Sequence, residues 1–125
     1  MPVNASRMLI VEDEADLCDC LSSFFSGKGF HVRCAFSGEE ALDELEADPP
    51  DVVLVDIMLP GISGLELLKR ACARYPRARF VVVSGRGEPY LRTAARLYGA
   101  CAFIPKPFDF SERTWAPVLS GSYGS

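Results

Sequence analysis

The feature that most constrains this chain is the run Val52-Val53-Leu54-Val55, closed by Asp56 and followed by Ile57-Met58-Leu59-Pro60-Gly61. Four consecutive apolar residues, mostly β-branched and without alternation, predict a strand buried on both faces, as in a parallel sheet covered by helices. The run stops at a carboxylate, just before a Pro-Gly turn. In an open α/β sheet the carboxyl ends of the strands are where ligands bind, which makes Asp56 a candidate site residue. Asp also ends strands simply because it favours turns, so the rest of the chain has to choose between the two readings.

Met8-Leu9-Ile10-Val11 and Phe80-Val81-Val82-Val83 are further apolar runs; the first leads into Glu12-Asp13-Glu14 and the second into Ser84-Gly85. Phe30, Val32 and Cys34 alternate with His31 and Arg33, the pattern of a half-exposed edge strand. Cys101-Ala102-Phe103-Ile104 predicts a fifth strand, followed by Pro105-Lys106-Pro107. Helices are expected between them. Leu17, Cys18, Leu21, Phe24 and Phe25 recur at helical spacing, with Gly27 and Gly29 ending the helix. Ser37-Gly38-Glu39-Glu40 and Ser63-Gly64-Leu65-Glu66 match capping boxes. The first opens a helix carrying Ala41, Leu42 and Leu45 inward until Asp48-Pro49-Pro50. The second opens a helix with Leu65, Leu68 and Cys72 on one face, terminated by Tyr75-Pro76. Pro89 suits the first turn of a helix with a thin face of Leu91, Ala94, Ala95 and Tyr98, closed at Gly99. A last helix is expected from Asp109, with Glu112 in the capping position and Pro117 limiting it to about two turns.

Strands alternating with helices in this way imply right-handed crossovers and a doubly wound α/β sheet with helices on both faces. The polar residues then fall at one edge. Glu12 and Asp13 follow the first strand, Asp56 ends the third, Ser84 ends the fourth and Lys106 follows the fifth.

A chain of 125 residues with 49% hydrophobic content suits a single domain with one core, here residues 1–119, leaving 120–125 as a flexible tail or linker. No apolar run is long enough to span a bilayer, and the first residues lack the apolar core of a signal peptide, so a cytoplasmic location is expected. The five cysteines form no CxxC pair and read as free thiols. The lone His31 falls on the polar side of its strand and reads as solvated. Residues 1–60 hold 13 Asp/Glu against 3 Lys/Arg, and residues 61–125 hold 4 against 10. This asymmetry suits a cation site and an acidic surface, or plain solvated helices. A basic helix face including Arg92 and Arg96 is a candidate partner surface. Nothing has the look of a nucleic-acid binder.

Three carboxylates at one sheet edge repel one another unless a counter-charge is present. A hard divalent cation such as Mg2+ resolves this, because it takes oxygen ligands and commonly accepts a phosphate oxygen as well. The constellation therefore suggests a phosphoryl site with Asp56 as nucleophile, Lys106 as a cation and the Ser84 hydroxyl as a donor.

At this point the chain resembles the receiver domain of two-component response regulators over nearly its whole length. The resemblance is carried by Leu9-Ile10-Val11-Glu12-Asp13, Val55-Asp56-Ile57-Met58-Leu59-Pro60-Gly61, Val83-Ser84-Gly85, Gly99-Ala100 and Lys106-Pro107-Phe108, in this order. It implies a flavodoxin-like (βα)5 fold with a five-stranded parallel sheet in the order 2-1-3-4-5 and, here, a short last helix. It implies that Asp56 accepts a phosphoryl group from a sensor histidine kinase, a phosphotransfer protein or a small donor such as acetyl phosphate. Asp13 and Asp56 would bind Mg2+ directly, Glu12 through water, and the Met58 backbone carbonyl would complete the protein ligands. Ser84 and Lys106 would bind the phosphoryl oxygens, and Ser84 and Phe103 would form the conformational switch, ending in a binding event with an output protein rather than with nucleic acid or membrane.

Two departures from the family pattern stand out. The positions that tune phosphoryl lifetime hold Met58 and Arg86, neither suited to aligning a hydrolytic water, so autodephosphorylation is expected to be slow. The short last helix with Pro117 puts in doubt a dimerisation face that many members build there. Such a chain would catalyse its own phosphorylation without being a metabolic enzyme. The alternatives are a receiver-fold interaction module that does not use phosphorylation, and a phosphohydrolase of the haloacid-dehalogenase type. Met58 stands where the latter needs a second carboxylate, and the intact set Glu12, Asp13, Asp56, Ser84 and Lys106 speaks against the former.

Overall fold

The structure is a computed structural model and describes residues 6–86 and 88–119. The predicted tail, 120–125, lies outside them. Strands and helices alternate: β1 (Arg7–Val11), α1 (Ala15–Gly27), β2 (His31–Ala35), α2 (Gly38–Ala47), β3 (Val52–Asp56), α3 (Gly64–Ala71), β4 (Arg79–Ser84), α4 (Pro89–Leu97), β5 (Ala100–Pro105) and α5 (Glu112–Leu119). The five strands are parallel, in the order β2-β1-β3-β4-β5. This is the expected flavodoxin-like order.

Because side chains alternate across a strand, each apolar run feeds two cores. Leu9, Val11, Val53, Val55, Phe80 and Val82 pack with α2, α3 and α4, through Ala41, Leu45, Leu67, Leu68, Leu91 and Ala95. Met8, Ile10, Val52, Leu54, Val81 and Val83 pack with α1 and α5, through Leu21, Phe25, Trp115 and Val118. The absence of alternation in the sequence is thus the signature of burial on both sides. β2, by contrast, is an edge strand, with His31 exposed and the next three residues half-buried.

Several local expectations need correction. In α2 the Ser37 hydroxyl accepts from the Glu40 N–H at 3.0 Å, but the Glu40 carboxylate reaches back to the Phe36 N–H at 2.6 Å rather than to Ser37. α3 ends at Ala71, four residues before Tyr75, although Tyr75 N–H still bonds the Ala71 carbonyl at 2.9 Å. Its buried face is Leu67, Leu68 and Ala71, whereas Leu65 and Cys72 are half-buried. The start of α5 falls later than Asp109. Ser111 caps it, its hydroxyl accepting from the Thr114 N–H at 3.1 Å, while Asp109 Oδ1 accepts from both the Ser111 and Thr114 hydroxyls at 2.7 Å. Pro117 lies inside α5, which at eight residues keeps the expected length of about two turns. All five cysteines are free.

Candidate functional site

Asp56 is the last residue of β3, paired in register with Val83, so β3 delivers its carboxylate to the carboxyl edge of the sheet. The backbone there is crowded. A Cβ on Gly64 would lie 2.2 Å from the Asp56 carbonyl oxygen and 2.6 Å from the Ile57 Cα, so only glycine lets α3 begin this close to the strand end. Gly64 N–H then bonds the Ile57 carbonyl at 2.9 Å, which fixes the intervening loop. Within that loop the Met58 N–H donates to Asp56 Oδ1 at 2.9 Å, while the Met58 side chain is exposed.

β1 and β5 bring the remaining charges. Glu12 follows β1 and is buried, with Oε2 accepting from the Glu14 N–H at 3.2 Å; Asp13 beside it is exposed. Lys106 follows β5, after which the Lys106–Pro107 peptide is cis. Its Nζ donates to Glu12 Oε1 at 3.0 Å and to Asp56 Oδ2 at 2.9 Å, so one ammonium bridges the ends of two strands. Its backbone N–H bonds the Ser84 carbonyl at 2.8 Å, tying the end of β5 to that of β4. Ser84 is fully buried, and its hydroxyl oxygen accepts from the Arg86 N–H at 3.0 Å.

The electrostatics follow from this crowding. Burial, aided by the neighbouring Asp56 carboxylate and opposed by Lys106, pushes the Glu12 carboxyl up to about 7. For Lys106, burial favours the neutral form, but the bonds to Asp56 and Glu12 outweigh it and hold the ammonium above its ordinary value. One carboxylate oxygen from each of Glu12, Asp13 and Asp56 lies within 4.8 Å of the others. One Lys⁺ beside three acids leaves net negative charge in a partly buried pocket lined by hard oxygen donors. That donor set fits Mg2+ or a similar hard divalent cation.

Two further expected residues lie on neighbouring segments, Arg86 of the lifetime-tuning pair between β4 and α4, and Phe103 of the switch on β5. The Arg86 guanidinium pairs with the Glu88 carboxylate, Nη2 to Oε2 at 2.8 Å, so its charge is engaged there. Phe103 on β5 is half-buried against the core under α4, and the Arg92 guanidinium carbon lies 4.5 Å from its ring centre. No sequence pattern linked Arg92 to Phe103, or Lys106 to Glu12 as well as Asp56. Both contacts arise from packing between elements.

The fold and the pocket define a doubly wound α/β domain with a lysine-braced acidic site at its strand ends. The family profile for the response regulator receiver domain matches residues 8–114, and the chain belongs to that family. It is 35% identical over 103 residues to the DNA-binding transcriptional regulator NtrC of Klebsiella pneumoniae, covering 82% of this chain and 22% of that protein. It is 32% identical over 106 residues to sporulation initiation phosphotransferase F of Bacillus subtilis, covering 85% of this chain and 86% of that one. A CheY-like receiver domain protein from Methanospirillum hungatei superposes with a TM-score of 0.83 at 29% identity, covering 86% of both chains. The chain thus spans about a fifth of the first relative's length and most of the second's. It is a signalling receiver of two-component type.

Proposed function

We propose that Asp56 is the phosphoacceptor and that Glu12, Asp13 and Asp56, with the Met58 backbone carbonyl, hold Mg2+, which when bound supplies positive charge to shield the carboxylates and an incoming phosphoryl group. The observation carrying this reading is the pair of hydrogen bonds that Lys106 Nζ donates to Glu12 and Asp56, beside the three carboxylate oxygens clustered within 4.8 Å. Asp56 Oδ1 is oriented by the Met58 N–H, which leaves the carboxylate fixed for attack on phosphorus. As the phosphoryl group arrives, Lys106 exchanges its bond to Asp56 for one to a phosphoryl oxygen, and the Ser84 hydroxyl turns from Arg86 N–H to donate to another. Charge neutralisation and positioning do most of the work in such transfers.

The donor is a phosphohistidine of a sensor kinase or phosphotransfer protein. Met58 carries no polar group and the Arg86 guanidinium is engaged by Glu88, so neither aligns a water for hydrolysis, and the aspartyl phosphate is long-lived. Phe103 packs further inward once Ser84 moves, with no hydroxyl to leave unsatisfied. The site faces the cytoplasm, where such kinases present their phosphohistidine.

Intact mass after incubation with acetyl phosphate tests this. Wild type with Mg2+ should gain a single phosphoryl adduct that persists through buffer exchange, while Asp56→Asn and a metal-free sample gain none. Absence of the adduct under every condition, a cognate kinase included, would instead point to an interaction module that does not use phosphorylation.

A further inference from the structure

Cys101 stands where β5 is irregular. Ala100 pairs with Phe80 and Ala102 with Val81, so Cys101 has no opposing residue on β4 and forms a β-bulge, a device that re-aims side chains. Phe103 packs under α4 and Ala102 toward α1 and α5; alternation back along the strand turns Cys101 to the α4 side, and the bulge keeps Ala100 there with it. Cys101 is exposed and lines a cleft with Arg92, Arg96, Ala100 and Phe103. Cys72, the residue after α3, reaches the same place from the other side. It is half-buried against the α4 core, and a Cβ added at Gly99 would lie 2.7 Å from both its Cβ and its Sγ. The Cys72 thiol therefore rests on the turn two residues before Cys101. Burial, and after it the nearby Cys101, push that thiol up to about 11. The other three cysteines offer no such pair. Cys18 lies beside Cys34 but is only 1% exposed, and its thiol donates to the Glu12 carbonyl at 3.3 Å. Cys20 is exposed on α1, across the sheet from Cys72 and Cys101.

We propose that Cys72 and Cys101 are a redox modification site, an exposed thiol that meets peroxide and a half-buried one that resolves it into a reversible disulfide joining the end of α3 to the start of β5. The Cys101 sulfur attacks one oxygen of hydrogen peroxide, the O–O bond breaks, and the departing oxygen takes the thiol proton and leaves as water, so that Cys101 becomes a sulfenic acid. The Cys72 sulfur then attacks the Cys101 sulfur, the S–O bond breaks, and the sulfenic oxygen leaves as a second water with the Cys72 proton. Two thiols are oxidised to one disulfide, and one peroxide is reduced to two waters. Because Cys72 holds its proton tightly, it competes poorly for peroxide itself, which sets the order of events. β5 is an edge strand, and Cys101 lies in its irregular opening, where a side-chain rotation disturbs little packing. The bond encloses residues 73–100, and with them all of β4 and α4, in a covalent loop. Oxidation thereby stiffens α4, which holds to the core through Leu91 and Ala95. A reducing compartment keeps the pair as thiols, so the bond forms under an oxidant load. None of this depends on the phosphoacceptor reading of Asp56.

Peptide mapping without reductant tests the proposal. The reduced protein, kept dilute, is treated with hydrogen peroxide, its remaining thiols are blocked with N-ethylmaleimide in denaturant, and its tryptic peptides are read by mass spectrometry. Wild type should lose two hydrogens in intact mass before blocking and yield one cross-linked pair, joining the peptide that holds Cys72 to the peptide that holds Cys101. Dithiothreitol should reverse both changes. Cys72→Ser should leave Cys101 as a sulfenic acid that dimedone traps, at about tenfold or more above the wild-type level. Cys20→Ser should leave the cross-link unchanged. Hydrogen exchange across α4 should slow about threefold or more on oxidation, and unchanged exchange would overturn the stiffening of α4. A cross-link joining any other two cysteines, a disulfide between two chains in place of the internal one, or Cys101 passing to a sulfinic acid while Cys72 stays a thiol would overturn the site itself. Five thiols left intact by peroxide would do the same. The wild-type map alone separates these outcomes, whichever way the variants fold.

Discussion

On the face covered by α1 and α5 the core is built from rings. Trp115 is fully buried and stands edge-on to Phe25 and Phe108, at centroid distances of 5.2 and 4.9 Å, and Phe25 meets Phe24 and Phe30 in the same way. On the opposite face α4 contributes only Leu91 and Ala95 to a core otherwise made of Leu, Val, Ile, Ala and Phe80. Edge-to-face rings bury large areas and tolerate little displacement, whereas a helix held by one Leu and one Ala can shift at small cost. A change at the carboxyl edge is resisted by α1 and α5 and accommodated by α4.

The largest expected effect probes the rigid face. Trp115→Ala should lower the free energy of unfolding by about 3–5 kcal/mol in urea denaturation, and Leu91→Ala, at the margin of the other core, by about 2 kcal/mol. Equal losses would break the comparison. A second test uses the edge the two faces share. Glu12, with its folded value near 7 against an ordinary 4.5, holds its proton more tightly when folded. The stability this group contributes is complete below pH 4.5 and is lost as pH rises through 7, by at most about 3 kcal/mol. Metal-free wild type should therefore lose stability between pH 5 and 8 relative to Glu12→Gln, and hydrogen exchange should rise in α4 before α1. A simultaneous rise would show that the faces are equally stiff. The smallest effect sharpens the picture of α5. Arg79 donates from Nη1 to the Pro117 carbonyl at 2.9 Å and from Nη2 to the Val118 carbonyl at 3.1 Å, capping a short helix from the start of β4. Arg79→Ala should cost about 1–2 kcal/mol, with faster exchange confined to α5.

Much of the candidate site was legible because strand ends are written locally. Asp56, Ser84 and the Glu12-Asp13 pair each stand where an apolar run stops, and a parallel topology then brings all such stops to one edge. Ser37 and Ser63 were legible for the same reason, since a cap and the N–H it accepts from lie three residues apart. Leu67 and Ala71 were missed on α3 because Leu65, Leu68 and Cys72 make an equally good stripe. The close approach of Gly64 to the Asp56 backbone decides which stripe turns inward. Asp109 offered itself as a cap, and only the fold of the preceding loop turned its carboxylate onto Ser111 and Thr114.

Local sequence patterns encode the succession of strands and helices, the burial of the sheet on both faces and the identity of the residues at its carboxyl edge. These depend on hydrophobic periodicity and on caps, which act over a few residues. Packing between distant elements sets the bridge of Lys106 to Glu12 and Asp56, the hold of Arg79 on the end of α5 and the cover of Arg92 over Phe103. Each of those joins residues on different elements, 94 and 50 positions apart in the case of Lys106. A long flexible cation takes whichever partner the packed sheet places within reach, and no local pattern encodes that choice.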